Sequence, residues 1–503
     1  MQNQKRENLL NLALSATDEE RERSENLDVG YDPEERTWEL IVRHSGSLAG
    51  LAGAGIQVDE LLNGYAVLVV PEHLVDQVSE LNQIEYIEKP KRLFFASNMA
   101  RAASCLSVVQ SPSGTGNVTG GVISGLSGGL TGRGVLVAVI DSGIDYLNQD
   151  FRNEDGSTRI LMLMDQDRGR IYTREEINEA LDAPDRAGAL ERVPSVDLSG
   201  HGTAVAAIAA GNGRGSQGVY RGVAYESDLL VVKLGAPLAD NFPRTTQLMK
   251  GLDFVIRQAQ ELGRPVALNL SFGNTYGSHD GTSLLETFMN DISNYGRSVL
   301  VAGTGNEGTG NGHTAGRLVM GSDTDVELSI APFETGMGVQ LWKSYVDAFA
   351  IRLITPSGGS IGPIDSRLGP QTLNYGGTRI LIYYGKPSPY SKAQEVYFDF
   401  IPIRDYLDSG IWTFRLTPER IVTGQYDMWL PSRGILNPST RFLMPVPETT
   451  LTIPSTAANV ISVGAYDDSY QSYADFSGRG FTRQTQQVKP DLVAPGVDIV
   501  TAR

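Results

Sequence analysis

Hydrophobic and polar positions follow three patterns along the chain, and each pattern predicts a different kind of domain. In the first hundred residues, short apolar runs and one amphipathic stretch are typical of a small α+β unit. We predict strands at 38–42, 64–70 and 84–87 and a helix at 71–81. Pro71 favours a helix start, because its missing N–H is not needed there. This domain is expected to span residues 1–96.

After a stretch rich in Gly and Ser at 111–129, the pattern changes to uniformly apolar runs separated by helical segments. Such runs are typical of a parallel sheet with helices on both faces. The predicted strands are 135–140, 229–232, 266–270 and 298–302, and the predicted helices are 245–262 and 283–295. Ser283 and Glu286 form a capping box at the start of the second helix.

Around residue 317 the helical periodicity ends, and alternating apolar and polar positions continue to about 452. Strands are predicted at 326–330, 348–354, 378–384, 396–401, 411–416 and 426–430, a pattern typical of a β-sandwich. The α/β pattern then resumes at 460–464. We therefore expect an all-β insertion at 316–452 that divides one α/β domain into 97–315 and 453–503.

The composition narrows the possible partners and compartments. A chain of 503 residues with 41% hydrophobic residues can bury several cores, which excludes a disordered protein. Its net charge of −17 repels nucleic acid and anionic lipid, so we expect neither a nucleic-acid nor a membrane partner. The apolar stretch after Lys5 and Arg6 is broken by Asn11, which makes a poor secretion signal. We expect a soluble intracellular protein.

The single cysteine, Cys105, excludes an intramolecular disulfide and a structural zinc site. A buried small residue is favoured here over a reactive thiol.

Three segments carry residues suited to catalysis. The strand at 135–140 is followed by Asp141, and α/β proteins place their ligand crevices at the carboxyl ends of such strands. His201 opens a helix of small residues between two glycines, which let a ligand approach the imidazole. The chain has five histidines, and His201 is the best placed of them to be a general base. Asn306 follows another apolar strand in a Gly-rich turn, where an amide can stabilise an oxyanion.

Each of these segments, taken alone, also has a structural interpretation. Asp141 can cap a turn, His201 can cap its helix, and Asn306 can adopt a left-handed turn. Their combination and order resemble the subtilisin-like serine proteases, the subtilases, over roughly 130–312 and 454–503. The resemblance implies a subtilisin-like parallel sheet flanked by helices. It also implies that Asp141 orients the imidazole, His201 is the general base and Asn306 is the oxyanion donor.

The resemblance also implies two walls of a substrate cleft. One wall would be the strand that pairs with the substrate backbone, formed by Ser271, Phe272, Gly273 and Asn274. The opposite wall would be formed by Ala302, Gly303 and Thr304. Each segment can also be an ordinary strand end.

The nucleophile is the one part of the resemblance that this sequence lacks. In subtilases a Gly-Thr-Ser loop follows a segment like 489–496, and the sequence ends at Arg503. We reject Ser283, because it precedes Asn306 and opens a capped helix. An incomplete gene, a chain cut into two associated pieces and a true pseudoenzyme remain open. Retention of Asp141, His201 and Asn306 favours an active protease whose serine lies beyond residue 503.

The N-terminal domain resembles a subtilase propeptide at 37–90. The segment after it would then lie across the active site, and we expect self-cleavage in the region of Phe95, Ala96, Ser97 and Asn98. The alternative is a permanent N-terminal domain that is never cleaved. Calcium is an option through the resemblance, in the loop 211–218 with Asn212 as one oxygen donor. Because Asp and Glu are absent from that loop, we assign no metal ligands and no cofactor.

The propeptide, the poor secretion signal and the inserted jelly-roll-like domain together resemble the clostridial germination proteases, which include active enzymes and pseudoproteases. This resemblance implies a propeptide that stays bound in the cleft after cleavage. It implies a protein substrate, the precursor of a spore cortex lytic enzyme, in the cytoplasm or the spore of a bacterium. Another protein substrate stays open, as does an inactive receptor or scaffold.

Overall fold

Three packed units make up the part of the chain that the computed structural model describes, residues 5–95, 130–235, 242–498 and 500–502. They are an α+β domain, a parallel α/β domain and a β-sandwich, in agreement with the predicted fold class. Within the described ranges, no helix is long and apolar enough to cross a membrane.

The N-terminal domain is a five-stranded antiparallel sheet with short helices. Its strands are β1 (Tyr31–Asp32), β2 (Thr37–His44), β3 (Gln57–Leu61), β4 (Tyr65–Pro71) and β5 (Ile84–Glu88). Its helices are α1 (Asn8–Ser15), α2 (Asp18–Glu22), α3 (Ala49–Ala52) and α4 (Val75–Glu80). The predicted helix start was wrong: Pro71 is extended at the end of β4, and α4 begins at Val75 after a single 3₁₀ turn.

The α/β domain is built on a nine-stranded sheet in which all strands run parallel except Arg170–Thr173 and Ser472–Tyr473. Its strands are β7 (Leu136–Asp141), β8 (Ile160–Asp165), β9 (Arg170–Thr173), β10 (Asp228–Lys233), β11 (Val266–Leu270), β13 (Ser298–Gly303), β25 (Ile461–Asp467), β26 (Ser472–Tyr473) and β29 (Leu492–Pro495). Two short ribbons pair β6 (Phe94–Phe95) with β12 (Phe272–Gly273), and β27 (Gly480–Phe481) with β28 (Val488–Lys489).

The helices of this domain cover both faces of the sheet. They are α5 (Arg174–Leu181), α6 (Arg186–Arg192), α7 (His201–Ala210), α8 (Thr245–Glu261) and α9 (Leu284–Ile292). Alternate residues of the fully buried strand β7 face α8 and α9 on one side and α7 on the other. This explains why β7 is apolar at every position rather than at every second one. The capping box of Ser283 and Glu286 forms as predicted at the start of α9.

The inserted unit is a sandwich of two antiparallel sheets. The strands are β14 (His313–Arg317), β15 (Thr324–Ile330), β16 (Met337–Ser344), β17 (Ala348–Ile354), β18 (Ser360–Ile364), β19 (Gly369–Tyr375), β20 (Thr378–Tyr384), β21 (Ala393–Pro402), β22 (Gly410–Arg420), β23 (Gln425–Trp429) and β24 (Arg441–Phe442). One sheet has the order β14-β23-β16-β21-β20-β19 and the other β18-β17-β22-β15-β24. Because β14 begins at His313, the expected boundary at 316 falls inside a strand of the sandwich.

The N-terminal domain packs against both other units. Helix α1 buries Leu9, Leu10 and Leu12 in a cluster that includes Leu381 and Tyr383 of the sandwich. The same cluster contains Tyr276 of the α/β domain. These contacts fix the N-terminal domain beside the carboxyl edge of the parallel sheet.

Candidate active site

The helix that carries His201 lies unusually close to the strand that carries Asp141. A Cβ atom at Gly202 would come within 2.1 Å of the Gly143 carbonyl oxygen, so α7 can approach the end of β7 only with glycine there. The preceding Gly200 has a φ of +75°, a conformation that glycine adopts without strain. Two glycines therefore place His201 directly above the carboxyl end of β7.

This approach brings His201 and Asp141 into direct contact. The Nδ1 atom of His201 lies 2.7 Å from Oδ1 of Asp141, a hydrogen-bond distance. The Asp141 side chain is fully buried, and its Oδ1 also accepts the backbone N–H of Ser142 at 2.7 Å. Because a carboxylate only accepts hydrogen bonds, the neutral imidazole carries its proton on Nδ1 and has its basic lone pair on Nε2. This geometry suits a general base.

Asn306 lies at the same edge of the sheet, in the turn that follows β13. The turn is held by backbone hydrogen bonds from Thr304 N to Val463 O at 3.1 Å and from Gly308 N to Phe476 O at 2.9 Å. The next side chain, Glu307, accepts the backbone N–H of Arg433 in the sandwich at 3.0 Å, and burial raises its pKa to about 7. The sandwich thus contacts the turn that carries Asn306.

The end of the N-terminal domain enters this region as an extended strand. Phe95 pairs with Phe272, and Phe94 pairs with Gly273, in antiparallel register. On the other side, Leu93 N donates to Pro243 O at 2.7 Å and Thr245 N donates to Lys91 O at 2.9 Å. Residues 91–95 are therefore the middle strand between two walls.

Side-chain contacts fix this strand as well. Leu93 is 1% exposed and packs into the core of the α/β domain, and the Phe94 ring lies 5.0 Å from the Phe242 ring. A chain held by backbone hydrogen bonds on both sides is bound as an extended peptide is bound.

The four residues predicted for the first wall, 271–274, have different contacts in the structure. Phe272 and Gly273 contact the entering strand, whereas Ser271 accepts a hydrogen bond from Asn269 at 2.9 Å. Asn274 is fully buried and exchanges backbone hydrogen bonds with Ile453, where the chain returns from the sandwich.

On the opposite wall, Ala302 and Gly303 lie in β13 and pair with Ser462 and Val463 of β25. The hydroxyl of Thr304 lies 3.1 Å from that of Ser477. Among the residues predicted for cleavage, Phe95 lies in β6, and Ala96, Ser97 and Asn98 lie outside the described residues.

The loop 211–218, which the resemblance made an option for calcium, is held by hydrogen bonds of its own. Asn212 donates its amide to Arg152 O at 2.6 Å, and its side-chain oxygen accepts Arg214 N at 3.1 Å. Asp150 accepts Gly215 N at 2.7 Å, so these oxygens are already committed to N–H groups. In the described part of the chain, no group of three or more His, Cys, Asp or Glu side chains is arranged to hold a metal ion. The side-chain oxygens of Asn212 and Asp150 therefore serve the backbone of this loop.

Sequence reasoning missed the second wall, Pro243 to Thr245, and the acid Asp197 close to His201. The wall has no strand-like pattern of its own, because it pairs with only a short segment. Asp197 stands four positions before His201, where an acidic residue ahead of a helix is a recognisable capping signal.

Comparison with known proteins agrees with this arrangement. The family model for the Csp protease B prodomain matches residues 4–91, and the subtilase family model matches residues 132–328 and 445–502. The solved structure of the Clostridium perfringens CspB protease is 36% identical in sequence, with a TM-score of 0.69, over 74% of this chain and 77% of that chain.

Two more distant solved structures also match. An S41 psychrophilic protease is 21% identical over 42% of this chain and 54% of its own, with a TM-score of 0.27. Sphericase is 20% identical over 35% of this chain and 47% of its own, with a TM-score of 0.24.

Proposed function

Because this chain belongs to the subtilase family and carries a prodomain of the Csp protease B type, we propose that it is a serine endopeptidase that cleaves off its own N-terminal domain. We further propose that its physiological substrate is the precursor of a spore cortex lytic enzyme, in the cytoplasm or spore of a bacterium. The observation that carries the proposal is the 2.7 Å contact between His201 Nδ1 and Asp141 Oδ1, beside a strand held like a bound peptide.

In this mechanism His201 Nε2 removes the proton from the nucleophilic serine as its oxygen attacks the peptide carbonyl. The buried carboxylate of Asp141 keeps the imidazole in the required tautomer and stabilises the imidazolium that forms. The amide of Asn306 donates to the oxyanion. His201 then passes its proton to the leaving amine, and water repeats the sequence to release the acyl group. The family resemblance implies that this serine belongs to a Gly-Thr-Ser loop.

Self-cleavage is supported by the path of residues 91–95. The segment lies between Phe272 to Gly273 and Pro243 to Thr245. Phe272 follows β11, the neighbour of β7 in the sheet, so the segment lies at the sheet edge that carries Asp141. We propose that the scissile bond lies in the region 95–98.

Intact mass spectrometry of the protein expressed with its natural downstream codons tests the proposal. We expect a cut near Ala96 in the wild type and none in His201→Ala, while the exposed His73→Ala variant is cut normally. A cut that persists in His201→Ala would refute the assignment of the base. An uncut wild-type chain that resists an active-site serine label would favour an inactive receptor or scaffold instead.

A further inference from the structure

A carboxylate that the mechanism above does not use, Asp197, is hydrogen-bonded to the start of α7. Its Oδ2 accepts the backbone N–H of Thr203 at 2.8 Å and the Thr203 hydroxyl at 2.7 Å. Its Oδ1 accepts the backbone N–H of Gly200 at 3.0 Å and the hydroxyls of Ser142 at 2.8 Å and Ser199 at 3.3 Å. Asp197 therefore contacts residues that precede His201 in the chain and a residue that follows it.

The same network reaches the strand that carries Asp141. The hydroxyl of Ser142 donates to Asp197 and accepts the backbone N–H of Gly202 at 2.9 Å. The backbone N–H of Ser142 donates to Asp141 Oδ1 at 2.7 Å. Ser142 thus joins the end of β7 to the start of α7, and its hydroxyl is oriented by Asp197.

Asp197 also contributes to the electrostatic environment of the His201 imidazole. His201 is the first residue of α7, and the partial positive charge at a helix N-terminus disfavours an imidazolium. A carboxylate bound to N–H groups of that same terminus offsets this partial positive charge.

Other charged groups lie near this region, and they are paired among themselves. On the loop after β7, Asp145 pairs with Arg186 of α6 at 3.2 Å. On β10, Lys233 lies between Asp165 at 3.5 Å and Asp167 at 3.0 Å. Among the described contacts, Asp197 is the carboxylate that accepts hydrogen bonds from the first turn of α7 and from the residue before it.

We propose that Asp197 is a positioning residue that holds His201 within hydrogen-bond distance of Asp141 and maintains its basicity. The inference rests on the proposed function, in which His201 is the general base. It predicts a measurable change at His201 when only the charge of Asp197 is removed.

The test is an NMR titration of His201 in the 503-residue chain labelled with ¹⁵N-histidine, which needs no catalytic activity. In Asp197→Asn, which keeps the shape of the side chain, we expect the pKa of His201 to fall by about 0.5 to 1 pH unit. We also expect the low-field signal of the proton shared with Asp141 to weaken. Asp197→Glu restores the charge and should recover part of the pKa.

Asp185→Asn is the matched control, because Asp185 caps α6 by accepting the N–H of Gly188 at 2.8 Å. Both Asn variants should lower the thermal unfolding midpoint, but Asp185→Asn should leave His201 unchanged. If Asp197→Asn lowers the midpoint and leaves the pKa of His201 and its low-field signal unchanged, Asp197 is a structural cap and the inference is overturned. This result is independent of the cleavage assay, so failure of the proposed function can be recognised separately.

Discussion

At the scale of single residues, Arg159 shows how one buried cation can organise several loops. It is 3% exposed, and its guanidinium donates to the carbonyl oxygens of Ala210 at 2.7 Å, Ser227 at 2.6 Å and Asp150 at 3.1 Å. Burial lowers its pKa to about 10, so it stays protonated at neutral pH. Ala210 ends α7, where unpaired carbonyls and the helix dipole favour a cation.

We predict that Arg159→Met lowers the free energy of unfolding by about 3 kcal/mol, because buried carbonyls lose their donors. Arg159→Lys should not restore it, since a single ammonium cannot reach carbonyls that the planar guanidinium bridges. Denaturant unfolding measures both changes.

The control for this prediction is Arg133→Met. The Arg133 side chain is 80% exposed and pairs with Glu226 at the surface, so we expect a change of less than about 0.5 kcal/mol. Equal losses at the two positions would show that the contacts of Arg159 contribute nothing specific.

At the scale of elements, the approach of α7 to β7 decides the geometry of the site. We predict that Gly202→Ala separates His201 from Asp141, because the new Cβ would meet Gly143 O at 2.1 Å and Asp141 Cβ at 3.1 Å. A displacement of about 1 Å can reduce a catalytic rate roughly a hundredfold. We expect a loss of that order in the rate of self-cleavage, measured in the completed protein.

Gly188→Ala in α6 is the matched helix substitution. A Cβ there would have its closest neighbours at 3.4 Å, an ordinary contact, so the variant should fold and cleave as the wild type does. Normal cleavage by Gly202→Ala would mean that the helix can retreat without disturbing the two side chains.

At the scale of the whole molecule, two acids of β21 lie buried against the N-terminal domain. Glu395 accepts a hydrogen bond from Asn8 at 3.3 Å, and Asp399 accepts one from Ser24. Burial raises their pKa values to about 7, from 4.5 for Glu395 and 3.8 for Asp399. Nearby acids, including Glu7 and Glu25, add to the shift, and Lys91 and Lys89 oppose it.

We predict that docking of the N-terminal domain weakens as pH rises from about 4 to about 7. In the docked state the two carboxyls keep their protons up to about pH 7, whereas after release they would ionise near their ordinary values. The docked state therefore binds more protons in this range, which stabilises it at low pH by about 3 kcal/mol for each carboxyl, with no further change in this contribution above about pH 7. Hydrogen exchange of α1 at pH 5 and pH 7.5, corrected for intrinsic rates, measures the change in docking.

The double variant Glu395→Gln with Asp399→Asn should remove most of this pH dependence, and the exposed Glu327→Gln should not. If protection of α1 in the double variant still falls with pH as in the wild type, these carboxyls do not cause the effect.

The sequence by itself determined the elements and their class. The uniformly apolar run at 135–140 indicated a strand buried on both faces, and the alternation at 348–354 indicated a strand with one face in a sandwich core. The strand at 378–384 is buried on both faces, because its Leu381 and Tyr383 pack against the N-terminal domain. It also indicated Asp141, His201 and Asn306 as candidates, because each follows or opens such an element. These features are local, since they depend on side-chain period and on caps within a few residues.

Tertiary structure alone decided the rest. The 2.7 Å contact of His201 with Asp141 exists because two glycines let a helix approach a distant strand. Residues 91–95 lie between two walls that are remote in sequence, and α1 finds its apolar partners on the sandwich. Such contacts depend on which faces meet after folding. A local sequence period cannot predict these contacts, because the residues that make them are far apart in the sequence and become neighbours only in the folded chain.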